Sequence, residues 1–259
     1  MNTPQNKERD ENLETHEKHV GLMREYYSKT ASQYNSWHCD ASNKSSHNFA
    51  VRELLHLMDT IKAKSVLDVC CGTGRATKAM LDSGYAAKGI DLSAELIAKG
   101  VEELKIPVDC LDVGDATKLP YGDKTFDVAC ILGALHHTAR PNNVIAEMIR
   151  VSRMGVLISD EGNHLSGGIK SLLISLGIFD PLYRLVFRRE PRQSRRKCDS
   201  DGDGPTFVFS VEEIIPAVRN EFPRLKTLTF YRAGKFQTCS FHYPRIFARQ
   251  CVVIAHNVV

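Results

Sequence analysis

The chain has 259 residues, which is enough for one large globular domain with a substantial buried core. Its 42% apolar and 25% charged residues are ordinary proportions, which exclude a disordered, collagen-like or wholly membrane-embedded chain. The net charge of +3 is too small to indicate nucleic-acid binding by itself. Residues 1–20 lack the apolar segment of a secretory signal, and no run reaches the ~18 apolar residues of a membrane span. We therefore expect a cytoplasmic protein.

Eight cysteines occur in the sequence, and none of them stands in a Cys-x-x-Cys spacing. Zinc sites usually contain such a pair, so we predict no metal. Several cysteines lie in or beside apolar, strand-like runs, where a free thiol packs as a small apolar group. We interpret the adjacent Cys70 and Cys71 in the same way, with a redox sensor as the alternative.

The N-terminal section is predicted to be helical after a short tail. Residues 1–18 contain few apolar groups, so we predict a disordered tail there. Apolar residues then recur at helix spacing in two segments, which predicts a helical cap over residues 19–60. Between the two segments, SKTASQYNSWHC is typical of a turn or loop that carries Tyr34 and Trp37.

From residue 61 onward, short apolar runs alternate with helical segments. The strand-like runs are SVLDVC, AAKGID, PVDCLDV, TFDVACIL and GVLISD. Ser93 is a suitable helix cap, and Pro141 a suitable first residue for the helix that follows it. Repeated β-α units of this length predict a doubly wound α/β domain with a parallel sheet, which we place at residues 61–259.

The alternation stops after Asp160, and residues 162–205 are too long for an ordinary connection, so we predict an insertion or lid. Its apolar part, residues 166–187, precedes a basic run. A lid over an apolar acceptor pocket, a peripheral membrane or lipid-like contact, and an oligomer interface are the open interpretations.

The last part of the chain is predicted to contain one helix and the final two strands. Ser210 and Glu213 form a capping-box pattern, and Pro216 is expected to kink or split the helix that follows. The runs LKTLTFYR and RQCVVIAHN are predicted to be the strands.

A glycine-rich turn follows the first strand, in the segment SVLDVCCGTGRA. Ligands of open α/β sheets bind at the carboxyl ends of the strands, and Gly72 and Gly74 allow close approach there. Asp68 lies at the end of this strand. Asp91 ends the second strand, where a carboxylate can accept both hydroxyls of a ribose. Asp115 follows the third, where it can accept a hydrogen bond from the exocyclic amine of adenine.

These three acids indicate the chemistry of the ligand. An acid beside the turn disfavours a pyrophosphate and favours an ammonium group. The nicotinamide-binding pattern needs a third glycine where Thr77 stands, and no phosphate-binding G-x-x-x-x-G-K-[ST] loop is present. Adenosine joined to a charged amino acid is S-adenosylmethionine, which we predict as the cofactor, with S-adenosylhomocysteine as its product.

Six motifs resemble, in their order along the chain, those of class I S-adenosylmethionine-dependent methyltransferases. They are EYYSKTASQYNSW, VLDVCCGTG, GIDLS, GDATKLPYGDKTFDVA, ALHHTARP and GVLISD. The group includes enzymes of ubiquinone and menaquinone biosynthesis and other small-molecule methyltransferases, and the resemblance covers roughly residues 25–160. It implies a mostly parallel, doubly wound sheet of seven strands, with an N-terminal helical cap and an insertion after the fifth strand. Cys70 replaces the first glycine of the family's loop, which is tolerated if the backbone there needs no positive φ.

The residues and the resemblance together give a candidate site. In relatives the N-terminal helix closes over the cofactor or acceptor, which implies that role for Tyr27, Tyr34 and Trp37, with ordinary helix packing as the alternative. The full candidate cofactor-binding set is Asp68, Cys70, Gly72, Gly74, Asp91, Leu92, Asp115, Ala116, Ile131, Leu132, Tyr27, Tyr34 and Trp37.

Two adjacent histidines follow the fourth strand at the mouth of this site. One of them is the candidate general base for a hydroxyl acceptor, and we favour His137 over His136. Asp160, at the end of the fifth strand, can orient that imidazole and stabilise its cation. Some sugar O-methyltransferases of the family use a similar histidine and aspartate. The alternative is that one imidazole only holds the loop.

The sequence thus predicts an S-adenosylmethionine-dependent methyltransferase that acts on a small molecule, with a hydroxyl oxygen of a natural product, sugar, quinone or lipid-like compound favoured. The alternatives are an RNA- or protein-modifying methyltransferase and a non-catalytic scaffold that binds the cofactor. ILGALHH stands where enzymes that modify base amines carry an (Asp/Asn)-Pro-Pro-aromatic motif, so no nucleic-acid partner is expected. The oligomeric state stays open, with a dimer as one option.

Overall fold

The computed structural model describes residues 4–38, 46–161, 197–200, 204–207, 214–233, 236–239 and 250–258. Two helices come first, α1 (Pro4–His38) and α2 (Ser46–Thr60). Helix α1 begins inside the segment that we predicted as a tail, and it continues through the predicted loop as far as His38. Trp37 therefore lies in a helix, and its side chain is outside the described part of the structure.

The β-α units follow in the predicted order. Their elements are β1 (Ser65–Val69), α3 (Arg75–Asp82), β2 (Ala86–Asp91), α4 (Ala94–Leu104), β3 (Leu111–Val113), β4 (Phe126–Leu132), α5 (Pro141–Val151) and β5 (Ser152–Glu161). The hydroxyl of Ser93 caps α4 by accepting the backbone N–H of Leu96 at 3.2 Å, and Pro141 starts α5. β3 is shorter than predicted, because Val108–Cys110 forms a 3-10 turn after Pro107.

The C-terminal part adds β6 (Lys197–Ser200), β7 (Gly204–Phe207), α6 (Ile215–Glu221), β8 (Arg224–Ala233), β9 (Phe236–Cys239) and β10 (Gln250–His256). Pro216 lies in the first turn of α6, where no backbone donor is needed, so it does not kink this helix as we predicted. The capping pair Ser210 and Glu213 falls outside the described residues, and so does most of the predicted insertion.

The main sheet has the strand order β3-β2-β1-β4-β5-β10-β8-β9. β1 to β5 pair in parallel, whereas β10 is antiparallel to both β5 and β8. The seven strands from β3 to β8 in this spatial order form the mostly parallel sheet that the sequence predicts. Strand β9 extends the sheet by pairing antiparallel with β8. The order reverses between β1 and β4, which is where ligands of such sheets bind.

Helices cover both faces of this sheet, and alternate residues of each strand supply two separate cores. In β1, Val66 packs into a cluster with Met58 of α2, whereas Leu67 packs into a cluster with Met148 of α5. Cys130 of β4 is fully buried in the first cluster. The cysteines Cys70, Cys71, Cys110 and Cys130 are free thiols. Within the described residues, no helix combines the length and apolarity that a bilayer span requires.

Candidate functional site

A cavity of about 410 Å³ lies at the carboxyl ends of β1, β2 and β4, beneath one face of α1. Its size is in the range of small-molecule pockets. Twelve of the predicted site residues line it, namely Cys70, Gly72, Asp91, Leu92, Asp115, Ala116, Leu132, Tyr27, Tyr34, His136, His137 and Asp160. The structure thus brings two of the three candidate cofactor-binding acids, Asp91 and Asp115, to the same cavity as the two candidate base histidines.

The glycine-rich turn forms the floor of this cavity, and it is strained at one residue. Cys70 adopts φ +55°, a left-handed conformation that costs a residue with a Cβ free energy. We expected Cys70 to be tolerated in place of glycine if the backbone needed no positive φ, and the structure shows that the backbone does have a positive φ there. Gly72 has φ +59°, and a Cβ at this position would lie 2.9 Å from the hydroxyl of Tyr34. Gly74 caps α3 and approaches Ile106 instead of the cavity.

The two cysteine thiols of the turn are kept protonated. Burial, helped by the surrounding carboxylates, raises the pKa of Cys70 and of Cys71 well above the ordinary value. Because the thiolate is the reactive form of cysteine, this environment favours the packing role over the redox-sensor alternative.

Asp68 is buried and does not line the cavity, although we predicted it to contact the ligand. Its Oδ2 accepts the backbone N–H of Thr77 at 3.1 Å and the Thr77 hydroxyl at 2.9 Å, which anchors the first turn of α3. Burial raises the pKa of Asp68 to about 6, against the lowering effect of these bonds. Ile131 was also predicted to contact the ligand, but it is fully buried in the core. Its neighbour Leu132, which was predicted as well, lines the cavity.

Asp91 faces the cavity from the end of β2, and Asp115 faces it from the loop after β3. Asp91 accepts the N–H of Gly72 at 2.8 Å and that of Ser93 at 2.9 Å, while burial raises its pKa. Asp115 accepts the N–H and the hydroxyl of Thr117, each at 2.8 Å. Partial burial acts to raise the pKa of Asp115, but the bonds from Thr117 and His16 lower it overall.

Asp160 is paired with His136, and not with the His137 that we favoured as the base. Asp160 Oδ1 lies 2.7 Å from Nδ1 of His136, and Oδ2 accepts the backbone N–H groups of Leu135 and His136 at 2.7 and 3.2 Å. The carboxylate has no exposed surface. The 3-10 turn Leu135–His137 directs consecutive side chains differently, so the ring of His137 faces Tyr27 with centroids 6.4 Å apart.

One face of α1 forms the roof of the cavity, and most of it was missed by the sequence analysis. The missed residues of this face are His16, His19, Val20, Met23, Tyr26 and Thr30. They recur at helix spacing together with Tyr27 and Tyr34, which is the signal that identifies the face. Arg75 of α3, Thr117 and Ser159 are further wall residues that were not predicted.

Comparisons with known proteins agree with this architecture. A family model described as a methyltransferase domain matches residues 67–159. Demethylmenaquinone methyltransferase of Renibacterium salmoninarum is 30% identical over 118 residues, which cover 45% of this chain and 49% of the relative. Norajmaline N-methyltransferase of Rauvolfia serpentina is 37% identical over 123 residues, 43% of this chain and 41% of the relative. The chain thus spans about half the length, or less, of these curated relatives.

Among solved structures, the fold resembles that of 1,6-didemethyltoxoflavin-N1-methyltransferase of Burkholderia thailandensis, with a TM-score of 0.56. The two share 16% identity, and the match covers 94% of this chain and 91% of that one. At this identity the likeness shows the fold alone.

The family match over residues 67–159 and the two methyltransferase relatives agree with the class I S-adenosylmethionine-dependent methyltransferase family that the sequence resembles. The recognition from sequence is therefore confirmed, and so is the cofactor of the family. Among the described residues, no group of three or more histidine, cysteine, aspartate or glutamate side chains is arranged to hold a metal ion.

Proposed function

We propose that this protein transfers a methyl group from S-adenosylmethionine to a hydroxyl oxygen of a small molecule. The observation that supports this most directly is the His136–Asp160 pair, which stands in the wall of the same cavity as Asp91 and Asp115. We propose a cytoplasmic enzyme whose catalytic domain covers residues 61–259, with no nucleic-acid partner.

The cavity suits the charge and shape of this cofactor, which supplies an activated methyl group on a sulfonium cation. Gly72 leaves space in the turn that a Cβ would fill. We assign Asp91 to the ribose hydroxyls and Asp115 to the exocyclic amine of adenine. The rings of Tyr27 and Tyr34, whose centroids lie 6.0 Å apart, offer aromatic surface to a cation.

Asp160 defines the role that we assign to His136. Since Asp160 accepts a hydrogen bond from Nδ1, it holds the imidazole in the tautomer whose Nε2 has the lone pair. In our proposal Nε2 takes the proton of the acceptor hydroxyl, and Asp160 stabilises the resulting imidazolium. The oxygen becomes a stronger nucleophile, while the cavity wall holds the acceptor in line for transfer.

A nitrogen acceptor is the second candidate, because one relative is named an N-methyltransferase. The same histidine would then take the proton from an ammonium form of the acceptor. A radiolabelled methyl donor and a panel of phenols, hydroxyquinones, sugars and amines would separate the two. Transfer to amines alone would contradict the hydroxyl proposal, and no calorimetric binding of S-adenosylhomocysteine would contradict the enzyme itself.

Replacement of the base gives a sharper test once an acceptor is found. We expect His136→Ala to lower turnover by roughly 10²- to 10⁴-fold, the usual contribution of a general base, with little change in cofactor affinity. His137→Ala is the matched control, because this neighbour has the same ring but lacks the bond to Asp160, and we expect a smaller loss. A larger loss from the control would restore His137 as the base.

A further inference from the structure

Asp115, to which we assign the exocyclic amine of adenine, has protein partners on both of its carboxylate oxygens. Oδ1 accepts two bonds from Thr117, which lies two residues further along the same loop. Oδ2 is bonded to Nε2 of His16 at 2.9 Å. The oxygen that a ligand would use is therefore the one that α1 occupies through His16.

The position of His16 is favourable at one ring nitrogen and costly at the other. Only 14% of its side chain is exposed, and Nε2 also lies 3.4 Å from the hydroxyl oxygen of Thr117. Its Nδ1 is buried and has no hydrogen-bond partner among the described residues. A buried nitrogen without a hydrogen-bond partner costs free energy. Nδ1 becomes hydrated when the ring leaves this position, and this gain favours the release of His16 from Asp115.

A second histidine attaches α1 on the other side of the cavity. His19 Nε2 bonds the backbone carbonyl of His137 at 2.7 Å, one turn along the helix from His16. Helix α1 thus bridges the loop after β3 and the loop after β4. Release of His16 alone leaves the second contact in place, so the roof does not have to detach for Asp115 to become available.

We propose that His16 competes with the adenine amine for Oδ2 of Asp115 and thereby sets the affinity of the cavity for adenosyl ligands. This inference rests on the proposed function and extends it. His16 lines the cavity, but its effect is opposite to that of a binding residue, because its removal strengthens the binding of the adenosyl ligand.

The test is calorimetric titration of the full chain with S-adenosylhomocysteine and with its purine analogue, in which a hydrogen atom replaces the exocyclic amine. We expect His16→Ala to bind S-adenosylhomocysteine about three- to tenfold more tightly, the range of one hydrogen bond to a protein group. The analogue has no donor for Asp115, so its affinity should change little. His16→Gln keeps an N–H of similar reach and should stay close to the wild type.

Each outcome decides the matter. Weaker or unchanged binding of S-adenosylhomocysteine by His16→Ala would overturn the inference, and so would an equal gain for both ligands, which would reflect general loosening of α1. If the alanine variant does not fold, His16→Leu removes the donor and keeps the apolar contact. Should the wild type and the variants all fail to bind S-adenosylhomocysteine, the proposed function itself would fall, which is a distinguishable result.

Discussion

Cys70 is the residue at which the chain departs from the glycine-rich loop of its family, and it takes a backbone angle that favours glycine. Its side chain packs against the core cluster of α5, so thiol packing and backbone strain act in opposite directions. A comparison of two variants that both lack the thiol separates these effects.

We predict that Cys70→Gly is more stable than Cys70→Ala by about 1 kcal/mol, because only glycine removes the Cβ that opposes the left-handed conformation. Urea unfolding of the cofactor-free protein measures the difference. Equal stability of the two variants would show that the angle at this residue carries no strain.

The two adjacent histidines show what a sequence does not reveal at the level of single residues. Both imidazoles stand at the same predicted place, and the choice between them depends on the 3-10 turn that begins after Ala134. This turn is fixed from a distance, because Asp160 binds the backbone of Leu135 and His136 across 24 or more residues. The carboxylate was predictable as an orienting group, whereas its partner was not.

At the level of elements, the sequence predicted the parts that are bounded by apolar runs. The segment AAKGID forms β2 with the predicted bounds, because it lies between two turns and is buried along most of its length. Helix α1 was predicted only in part, since its inner face consists largely of histidine and tyrosine. Such a face packs against a polar cleft instead of an apolar core, so hydrophobic periodicity underestimates it.

The attachment of α1 to the rest of the domain gives a prediction for this element. Asn35 accepts the hydroxyl of Thr73 in the glycine-rich turn and donates to Glu103 of α4, each at 2.7 Å. We expect Asn35→Ala to accelerate amide hydrogen exchange in the second half of α1 about fivefold, the effect of losing roughly 1 kcal/mol of attachment.

Ser36→Ala provides the control for that measurement. Among the described residues, its hydroxyl bonds only the carbonyl of Gln33, within the same helix, so exchange should not accelerate. Acceleration of similar size in both variants would mean that helix propensity, and not attachment to the turn, controls the exchange of α1.

For the molecule as a whole, the acids beneath the cavity link stability to pH. Burial raises the pKa of Asp68 to about 6, and the charge of Asp91 contributes in the same direction. The unfolded chain has an ordinary pKa near 3.9 at this residue. Between about pH 4 and pH 6 the folded state therefore holds more protons than the unfolded state, and the free energy of unfolding falls as the pH rises.

We predict that Asp68→Asn removes this dependence. Relative to the variant, the wild type should lose up to about 3 kcal/mol of stability between pH 4 and pH 7, the value of a shift of about two pKa units. Asp127→Asn is the opposite case, because burial acts to raise the pKa of Asp127, but the bonds from Arg153 and from backbone donors outweigh it and lower this pKa overall. The wild type should be more stable than Asp127→Asn by the full difference at neutral pH, and this difference in the free energy of unfolding should disappear as the pH falls below about 4. Urea unfolding of the three proteins at intervals between about pH 2 and pH 7 distinguishes the two signs, and parallel curves for wild type and Asp68→Asn would show that Asp68 titrates normally in the folded protein.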